Sequence, residues 1–184
     1  MEGPIRDRES LLAHIRRGNR PMYHFFWGHT APPGGGVGKH CLSQWWPAPF
    51  SVEGCTYRTA EHFMMAEKAR LFDDQAAAAR ILAAAGPAAA KKIGRQVRGF
   101  SEERWAAARF DIVVRGSVAK FGGDPGLRAY LLDTGDQVLV EASPRDRIWG
   151  IGIAEADPRA EAPERWPGLN LLGFALMEAR RQLR

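Results

Sequence analysis

The hydrophobic positions of the chain follow a helical period over most of its length. Apolar residues three or four apart, preceded by Ser, Thr or Asp and followed by Gly or Pro, predict amphipathic helices. A chain with several such segments is expected to be mainly α. The predicted helices run from Arg6 to Arg17, from Ala60 to Leu71, from Asp73 or Asp74 to Gly86-Pro87, from there to about Val97, from Ser101 to Phe121, briefly after Asp124-Pro125, and from Asn170 to Leu183.

A few short runs have the pattern of β-strands instead. Aromatic and β-branched residues predict strands at Tyr23–Trp27 and at 137–141. The runs 49–52 and Cys55–Tyr57 flank Glu53-Gly54, which is typical of a β-hairpin. We therefore predict one compact domain, residues 21–184, that is mainly α with a small β element and follows a helical extension at residues 1–20.

Composition narrows the class of protein. The hydrophobic fraction of 45% and the charged fraction of 26% are those of an ordinary globular chain. No apolar run approaches the roughly 20 residues that span a bilayer, which argues against a membrane protein. The charged start, Met1 to Arg8, lacks the apolar stretch of a secretory signal, so we expect a cytoplasmic protein.

The chain is basic, with a formal net charge of +5 and a pI near 9.6. Its arginines are spread along the sequence and do not form one block. Such a surplus favours anionic ligands, from a sugar phosphate to a nucleic-acid backbone. A basic surface can also serve solubility alone, and both interpretations stay open.

The Pro- and Gly-rich segment 31–38 superficially resembles a phosphate-binding loop. That motif needs a Gly six positions before the Lys, where this chain has Pro33, and a Ser or Thr after Lys39, where it has His40. We therefore expect a surface loop.

The histidines and cysteines do not form a metal-binding pattern. No two histidines have a chelating helical spacing with a third ligand nearby in sequence, and two cysteines make no disulfide framework. We expect no metal and no other cofactor. The residues concerned are His14, His24, His29, His40, His62, Cys41 and Cys55.

Two segments contain the candidate chemistry. On the predicted helix from Ala60, Glu61 and Lys68 are seven residues apart and share one face, about 10.5 Å apart. A partly desolvated Lys is a nucleophile and a Glu beside it can hold a proton, although the same spacing also fits a solvated stripe of charge. In the second segment, 141–152, Asp146 precedes Trp149 and two glycines; this is either a ligand-binding turn or a structural one with the Trp in the core.

Several spaced motifs taken together carry a resemblance. Thr59 to His62, Asp146 to Gly152 and Gly168 to Gly173 are the most specific. Over residues 23–183 the combination closely resembles the NADAR (YbiA-like) family. Further matches are Ser43-Gln44-Trp45, Pro49-Phe50, Gly54, Tyr57, Lys68, Lys91, Gly94-Arg95, Trp105, Lys120-Phe121, Leu131, Thr134-Gly135, Glu141 and Ser143-Pro144.

The resemblance implies a compact, mainly helical fold and cofactor-free N-glycosidase activity. In the family this activity is described for ribosylamino-pyrimidine phosphates of the riboflavin pathway and for ADP-ribose attached to guanine. In both, the leaving group is an exocyclic amine on the anomeric carbon. The expected partner is a phosphorylated ribosyl small molecule or ADP-ribosylated guanine, with DNA contacted where the guanine is part of it, and no membrane.

On this basis we predict that Lys68 attacks the anomeric carbon as the ring opens and forms a Schiff base. Glu61 would give a proton to the leaving amine, and Asp146 would position the ribose or activate water. Direct attack by water on an oxocarbenium-like ribose, with Lys68 acting only through its charge, is the alternative.

Trp45 and Trp149 are predicted to sandwich the heterocycle, and Arg95 to bind phosphate. The rest of the predicted substrate-binding set is Trp105, Gly150, Gly152 and Asn170. A non-catalytic reader of ADP-ribose or nucleic acid would use the same aromatic and basic surfaces, but Glu61 with Lys68 favours an enzyme.

The chain departs from YbiA-type members at the insertion 31–38 and at Gln44-Trp45, where those members usually have Asn-Phe. Both changes are expected at the pocket rim. A wider rim and a basic surface predict that ADP-ribosyl-guanine is cleaved at least as well as the riboflavin intermediates.

Overall fold

Helices are the main regular elements of the computed structural model, which describes residues 3–184. They are α1 (Arg8–Arg16), α2 (Ala60–Leu71), α3 (Gln75–Ala83), α4 (Pro87–Gly94), α5 (Glu102–Gly122), α6 (Pro125–Asp133) and α7 (Leu171–Leu183). The strands are β1 (Tyr23–Phe26), β2 (Phe50–Val52), β3 (Cys55–Tyr57) and β4 (Val138–Glu141). The predicted mainly α fold with a small β element is confirmed. Met1 and Glu2, the first residues of the predicted extension, lie outside the described residues.

Side-chain caps explain why most helices begin where the sequence predicts. The Thr59 hydroxyl accepts a hydrogen bond from the backbone N–H of His62 at the start of α2. Asp74, Ser101 and Asp124 cap α3, α5 and α6 in the same way. Short polar residues before an apolar run are therefore reliable helix starts in this chain.

The fourth helix ends at Gly94, earlier than the predicted Val97. A Cβ on Gly94 would lie 2.1 Å from Met65 Sδ, so only a glycine allows α4 this close to α2. Gly116 of α5 has the same function against the Phe63 ring, at 2.6 Å. Close contacts of α4 and α5 with α2 enclose one face of α2.

The four strands form two separate pairs. β2 and β3 are antiparallel around Glu53 and Gly54, whose φ angles of 50° and 77° fit a tight hairpin turn, as predicted. β1 and β4 are parallel, from Tyr23 opposite Val138 to Phe26 opposite Glu141. Because parallel strands end at the same edge, the chain beyond Phe26 lies beside the chain beyond Glu141.

Buried apolar side chains form two clusters. The larger lies among α2 to α7 and includes Phe26 of β1 and Leu139 of β4, and the smaller lies around Val138 and Val140 of β4 and Phe174 of α7. Helix α1 packs on the smaller cluster through Leu11, which is fully buried, and Arg8 Nη1 donates to the Trp166 carbonyl at 2.7 Å. Helix α1 is therefore packed against the residues that follow it in the chain, and the boundary of the predicted extension at residue 20 stays a prediction. Within residues 3–184, no helix is long and apolar enough to cross a membrane.

Candidate active site

A cavity of about 180 Å³ lies between α2, α4, α5 and the segment that follows β4. All three predicted catalytic residues, Glu61, Lys68 and Asp146, line it. Among the predicted substrate-binding residues, Trp45, Arg95, Trp105 and Trp149 do so as well. The remaining lining residues are Ser43, Gln44, Met64, Met65, Lys91, Glu141 and Leu172.

Lys68 lies near the C-terminus of α2 and is half-buried. Its Nζ is 4.3 Å from the centre of the Phe100 ring and 5.6 Å from that of Trp105. Within residues 3–184 it forms no hydrogen bond or ion pair. Burial lowers the pKa of Lys68, and Glu102 and Glu61 partly oppose that effect. Its amine therefore loses its proton more readily than that of an exposed lysine.

Glu61 lies two turns earlier on the same helix and is only 3% exposed. Its Oε1 has no hydrogen-bond partner in the described chain. Burial raises the pKa of Glu61 to about 7, although the positive charge of Lys91 and the Trp45 indole oppose the rise. Glu61 can therefore hold a proton near neutral pH.

Glu141, at the end of β4, is a half-buried residue whose carboxyl is the second one enclosed in the cavity, and the sequence analysis gave it no role. Its Oε2 is enclosed and has no hydrogen-bond partner among the described residues. Burial raises the pKa of Glu141 to about 8, with a further contribution from Asp146 and an opposing one from Lys91. The sequence signal was a carboxylate at the end of an apolar run, just before Ser143-Pro144.

Asn170, Gly150 and Gly152 lie behind the cavity wall and not in its lining, contrary to the predicted substrate contacts. Asn170 is fully buried, and its side chain accepts from the Glu141 N–H and donates to the Leu139 carbonyl, both at 2.9 Å. A Cβ on Gly150 would lie 2.8 Å from the Glu141 carbonyl oxygen, and Gly152 has a φ of 75°. These residues shape the backbone that carries Glu141 and Trp149.

Asp146 has a structural function in addition to its position in the cavity wall. Its Oδ1 accepts hydrogen bonds from the backbone N–H groups of Ile148 and Trp149, each at 2.8 Å. This capped turn was the alternative interpretation of the segment. Trp149 itself is half-buried and lines the cavity.

Positive charge is concentrated at the cavity. Lys91 and Arg95 come from the end of α4 and join Lys68 in the lining. Within residues 3–184, the side chains of all three form no hydrogen bond or ion pair. Lys91 Nζ is 5.9 Å from the centre of the Trp45 ring. Unpaired cations beside an aromatic ring suit a phosphorylated heterocyclic ligand.

A buried lysine outside the cavity holds one of its walls. Lys120 of α5 is 2% exposed, and its Nζ donates to the carbonyls of Cys41, at 2.6 Å, and Ser43, at 2.9 Å. Burial lowers the pKa of Lys120 to about 7. The Glu61 N–H donates to the Gln44 carbonyl at 3.0 Å. The segment that carries Gln44 and Trp45 is therefore attached to both α5 and α2.

The insertion 31–38 does not line the cavity, contrary to its predicted place at the rim. Its residues are almost all exposed, and Gly34, Gly35 and Gly36 have positive φ angles typical of a surface loop. Trp45 instead contacts His29, with ring centres 5.5 Å apart. Within residues 3–184, no group of three or more His, Cys, Asp or Glu is arranged to hold a metal ion.

The cavity thus combines an accessible lysine amine, two buried carboxyls that can carry protons, and unpaired cations beside aromatic rings. A nucleophile next to a proton donor can exchange one C–N bond for another.

Comparison with known proteins identifies the family of the chain. The NADAR domain family model matches residues 25–184. An N-glycosidase of Acanthamoeba polyphaga mimivirus is 42% identical over 152 residues, which are 79% of this chain and 89% of the viral protein. The chloroplastic riboflavin biosynthesis protein PYRR of Zea mays is 36% identical over 135 residues, 70% of this chain but 20% of the maize protein.

The Escherichia coli protein called N-glycosidase YbiA is 32% identical over 135 residues, covering 73% of this chain and 76% of that protein. Its NMR structure aligns with a TM-score of 0.68 and 27% sequence identity, over 90% of this chain and 86% of that chain. The family model covers most of the chain, these relatives are more than 30% identical to it, and its fold matches that of YbiA. The chain therefore belongs to the NADAR domain family.

Proposed function

We propose that this protein hydrolyses the N-glycosidic bond between a phosphorylated ribose and an exocyclic amine of a heterocycle. Membership of a family with several named N-glycosidases makes the chain a hydrolase of N-glycosyl bonds. The class of substrate and the route of the reaction are the proposed parts.

The observation that carries the proposal is the pair formed by Lys68 and Glu61 in one cavity. Burial lowers the pKa of the Lys68 amine and raises that of the Glu61 carboxyl to about 7. In the proposed route, Lys68 Nζ attacks the anomeric carbon of the opened sugar. Glu61 protonates the departing amine, and water then releases the sugar from the Lys68 imine. Proton donation of this kind typically contributes 10²- to 10⁴-fold in rate.

Charge and aromatic rings support the choice of ligand. Lys91 and Arg95 form no ion pair in the described chain, so both side chains are available to bind a phosphate. Trp45 and Trp149 line the same cavity and provide faces on which a heterocycle can stack. The maize relative, named for riboflavin biosynthesis, supports a ribosylamino-pyrimidine phosphate, and ADP-ribosyl-guanine contains the same type of bond.

Borohydride added during turnover tests the covalent route, because it reduces an imine to a stable amine. We expect intact-mass analysis to find a sugar adduct on the wild-type protein, located at Lys68 by peptide mapping, and Lys68→Ala to show neither adduct nor product. Lys92→Ala, a change at an exposed lysine outside the cavity, is the control and should be trapped like the wild type.

Other outcomes would contradict this route in different ways. Full activity without an adduct in Lys68→Ala would refute the covalent step. Activity lost in Lys68→Ala, with no adduct in the wild type, would favour direct attack by water. A protein that binds ADP-ribose but releases no amine from any ribosylated substrate would be a reader and not an enzyme.

A further inference from the structure

We propose that Glu141 is a second catalytic carboxyl, which takes the proton from the water that releases the sugar. This role rests on the proposed function, because it concerns the second half of the same reaction. It divides the chemistry between two carboxyls, with Glu61 acting when the amine departs and Glu141 acting when water attacks.

The first support is an unexplained polar atom. Glu141 Oε2 is enclosed, lines the cavity and has no hydrogen-bond partner in the described chain. A buried oxygen left in this state costs free energy, because it has lost its hydrogen bonds to water and gained none in return. A ligand or water in the cavity would satisfy it, which is typical of a functional group and not of a core residue.

The second support is the rigid attachment of the Glu141 backbone. Its N–H donates to the buried Asn170 side chain, and its carbonyl accepts from the Ile151 N–H, both at 2.9 Å. The bare Cα of Gly150 packs against the same carbonyl. These three contacts fix the backbone of Glu141, whereas its carboxyl oxygen Oε2 forms no hydrogen bond in the described chain. The fixed backbone therefore directs the carboxyl group towards whatever the cavity binds.

The remaining carboxyls of the cavity are less suited to this step. Asp146 uses Oδ1 to hold two backbone N–H groups of its own turn, so it is committed to structure. Glu61 shares α2 with Lys68; once it has protonated the leaving amine it is a carboxylate too, but its lower pKa makes it the weaker base of the two. Glu141 comes from β4, a different element, and is free to accept a proton then.

The electrostatics fit two carboxyls that share a proton. Burial raises the pKa of both, and the charge of Glu61 adds to the rise at Glu141. Lys91 lowers the pKa of both groups and keeps the ionised form accessible. Near neutral pH we expect the pair to hold about one proton, and the higher pKa of Glu141 places it mainly there, so the reactive form is the one in which the proton has moved to Glu61.

The reaction balances in atoms and charge from the opened sugar, in which the bond from C1 to the ring oxygen has broken, that oxygen has taken the proton of the amine nitrogen, and C1 is joined to the nitrogen as an imine. Lys68 Nζ adds to this carbon, and one of its protons passes to the amine nitrogen. Glu61 gives its proton to the amine nitrogen as the bond from C1 to that nitrogen breaks, which leaves a protonated imine between C1 and Lys68 Nζ. Water adds to C1 and its proton passes to Glu141. The C1–Nζ bond then breaks, which gives the sugar aldehyde and the free lysine amine. The proton on Glu141 returns to Glu61, and the sum is one water consumed for each bond cleaved.

Burst measurements on Glu141→Gln, with substrate in excess over protein, separate the two halves. We expect about one equivalent of heterocyclic amine per protein at near the wild-type rate, followed by turnover reduced 10²- to 10⁴-fold. Borohydride added after the burst should trap more sugar on Lys68 than in the wild type. Glu141→Asp keeps a carboxyl and should recover part of the turnover. Glu103→Gln, a change at an exposed carboxyl outside the cavity, should behave like the wild type.

Failure of this role can be distinguished from failure of the proposed function. If the wild type releases amine but no sugar is trapped on Lys68, the imine is refuted and the role of Glu141 with it. If the wild type is trapped, the proposed function stands. The proposed role of Glu141 is then refuted by any of three results. These are normal turnover of Glu141→Gln, no release of amine by Glu141→Gln, or accumulation of the adduct in Asp146→Asn and not in Glu141→Gln. Melting curves of each variant establish that it is folded.

Discussion

At the scale of single residues, Glu61 connects stability to chemistry. Burial raises its pKa from the ordinary 4.5 to about 7, so the folded state holds the proton more tightly than the unfolded state. The stability gained from this proton is complete below pH 4.5 and is lost as the pH rises through about 7. Burial of Glu61 in the cavity therefore lowers the free energy of unfolding at pH values where its carboxylate forms.

Glu61→Gln should remove this pH dependence, because an amide of the same shape does not ionise. Urea unfolding at pH 4 should give nearly equal free energies of unfolding for the variant and the wild type. At pH 8.5 the variant should be more stable by about 3 kcal/mol, since one pKa unit corresponds to about 1.4 kcal/mol. Glu103→Gln, at an exposed site, should follow the wild type at both pH values. Parallel curves for Glu61→Gln and the wild type would show that the carboxyl is not desolvated.

Replacement of Trp149 tests whether its ring stacks on the substrate or packs in the hydrophobic core. It lines the cavity and is half-buried, so Trp149→Ala should raise KM by about ten- to a hundredfold, the loss expected for one stacked base. The melting temperature should change by a few degrees only. Trp27 is 56% exposed and lies outside the cavity lining, so Trp27→Ala is the matched control. A variant that melts far below the wild type, with KM unchanged in the folded fraction, would identify Trp149 as core.

At the scale of elements, Asn170 joins α7 to β4 at the point where Glu141 enters the cavity. It adopts a left-handed conformation, with φ of 56°, and both side-chain amide atoms bond to the β4 backbone. Gly173, one turn further on, allows the close approach, since a Cβ there would lie 2.0 Å from the Leu139 carbonyl oxygen. The position of Glu141 therefore depends on a polar anchor between two elements.

Asn170→Ala should lower both stability and turnover. Two buried backbone groups lose their partners, at about 1–3 kcal/mol each, and alanine is strained in the left-handed region. Asn170→Gly removes the same bonds without that strain and should be the more stable of the two variants. Turnover of the folded protein should fall in both, because Glu141 is no longer fixed. Leu169→Ala, a change at an exposed neighbouring residue, should leave stability and turnover unchanged. If all three variants have the same stability and turnover, Asn170 does not fix the position of Glu141.

The elements also show what a sequence pattern can and cannot predict. Helix starts are local, because a capping side chain and the amide it binds are three residues apart, and α2 begins at the predicted Ala60. The pairing of β1 with β4 joins residues more than a hundred positions apart, and no local pattern specifies it. Glu141 was overlooked for this reason, since its place in the cavity depends on that pairing. Lys68 and Glu61 were found because one helix carries both.

At the scale of the whole molecule, the structure removes one of the two reasons for expecting a large anionic substrate. The insertion 31–38 lies outside the cavity lining, so it no longer supports a wider rim. The remaining support for a large anionic substrate is charge. The net charge is +5, and Arg145 and Arg147 flank Asp146, are exposed, and form no side-chain hydrogen bond or ion pair in the described chain. These arginines extend the positive charge of the cavity onto the surface.

Salt dependence can therefore identify the substrate. An ADP-ribosyl group on guanine within DNA brings a pyrophosphate and flanking phosphates, and each phosphate contact contributes about −0.7 to −0.9 to the slope of log affinity against log salt. We expect kcat/KM for such an oligonucleotide to fall steeply between about 50 and 200 mM salt and to equal or exceed, at low salt, that for a ribosylamino-pyrimidine monophosphate. The small substrate, held only inside the cavity, should respond much less.

Arg145→Ala with Arg147→Ala should flatten the response to the oligonucleotide while the small substrate is cleaved as before. A strong preference for the pyrimidine, with a flat salt response for both substrates, would show that the basic surface serves only solubility.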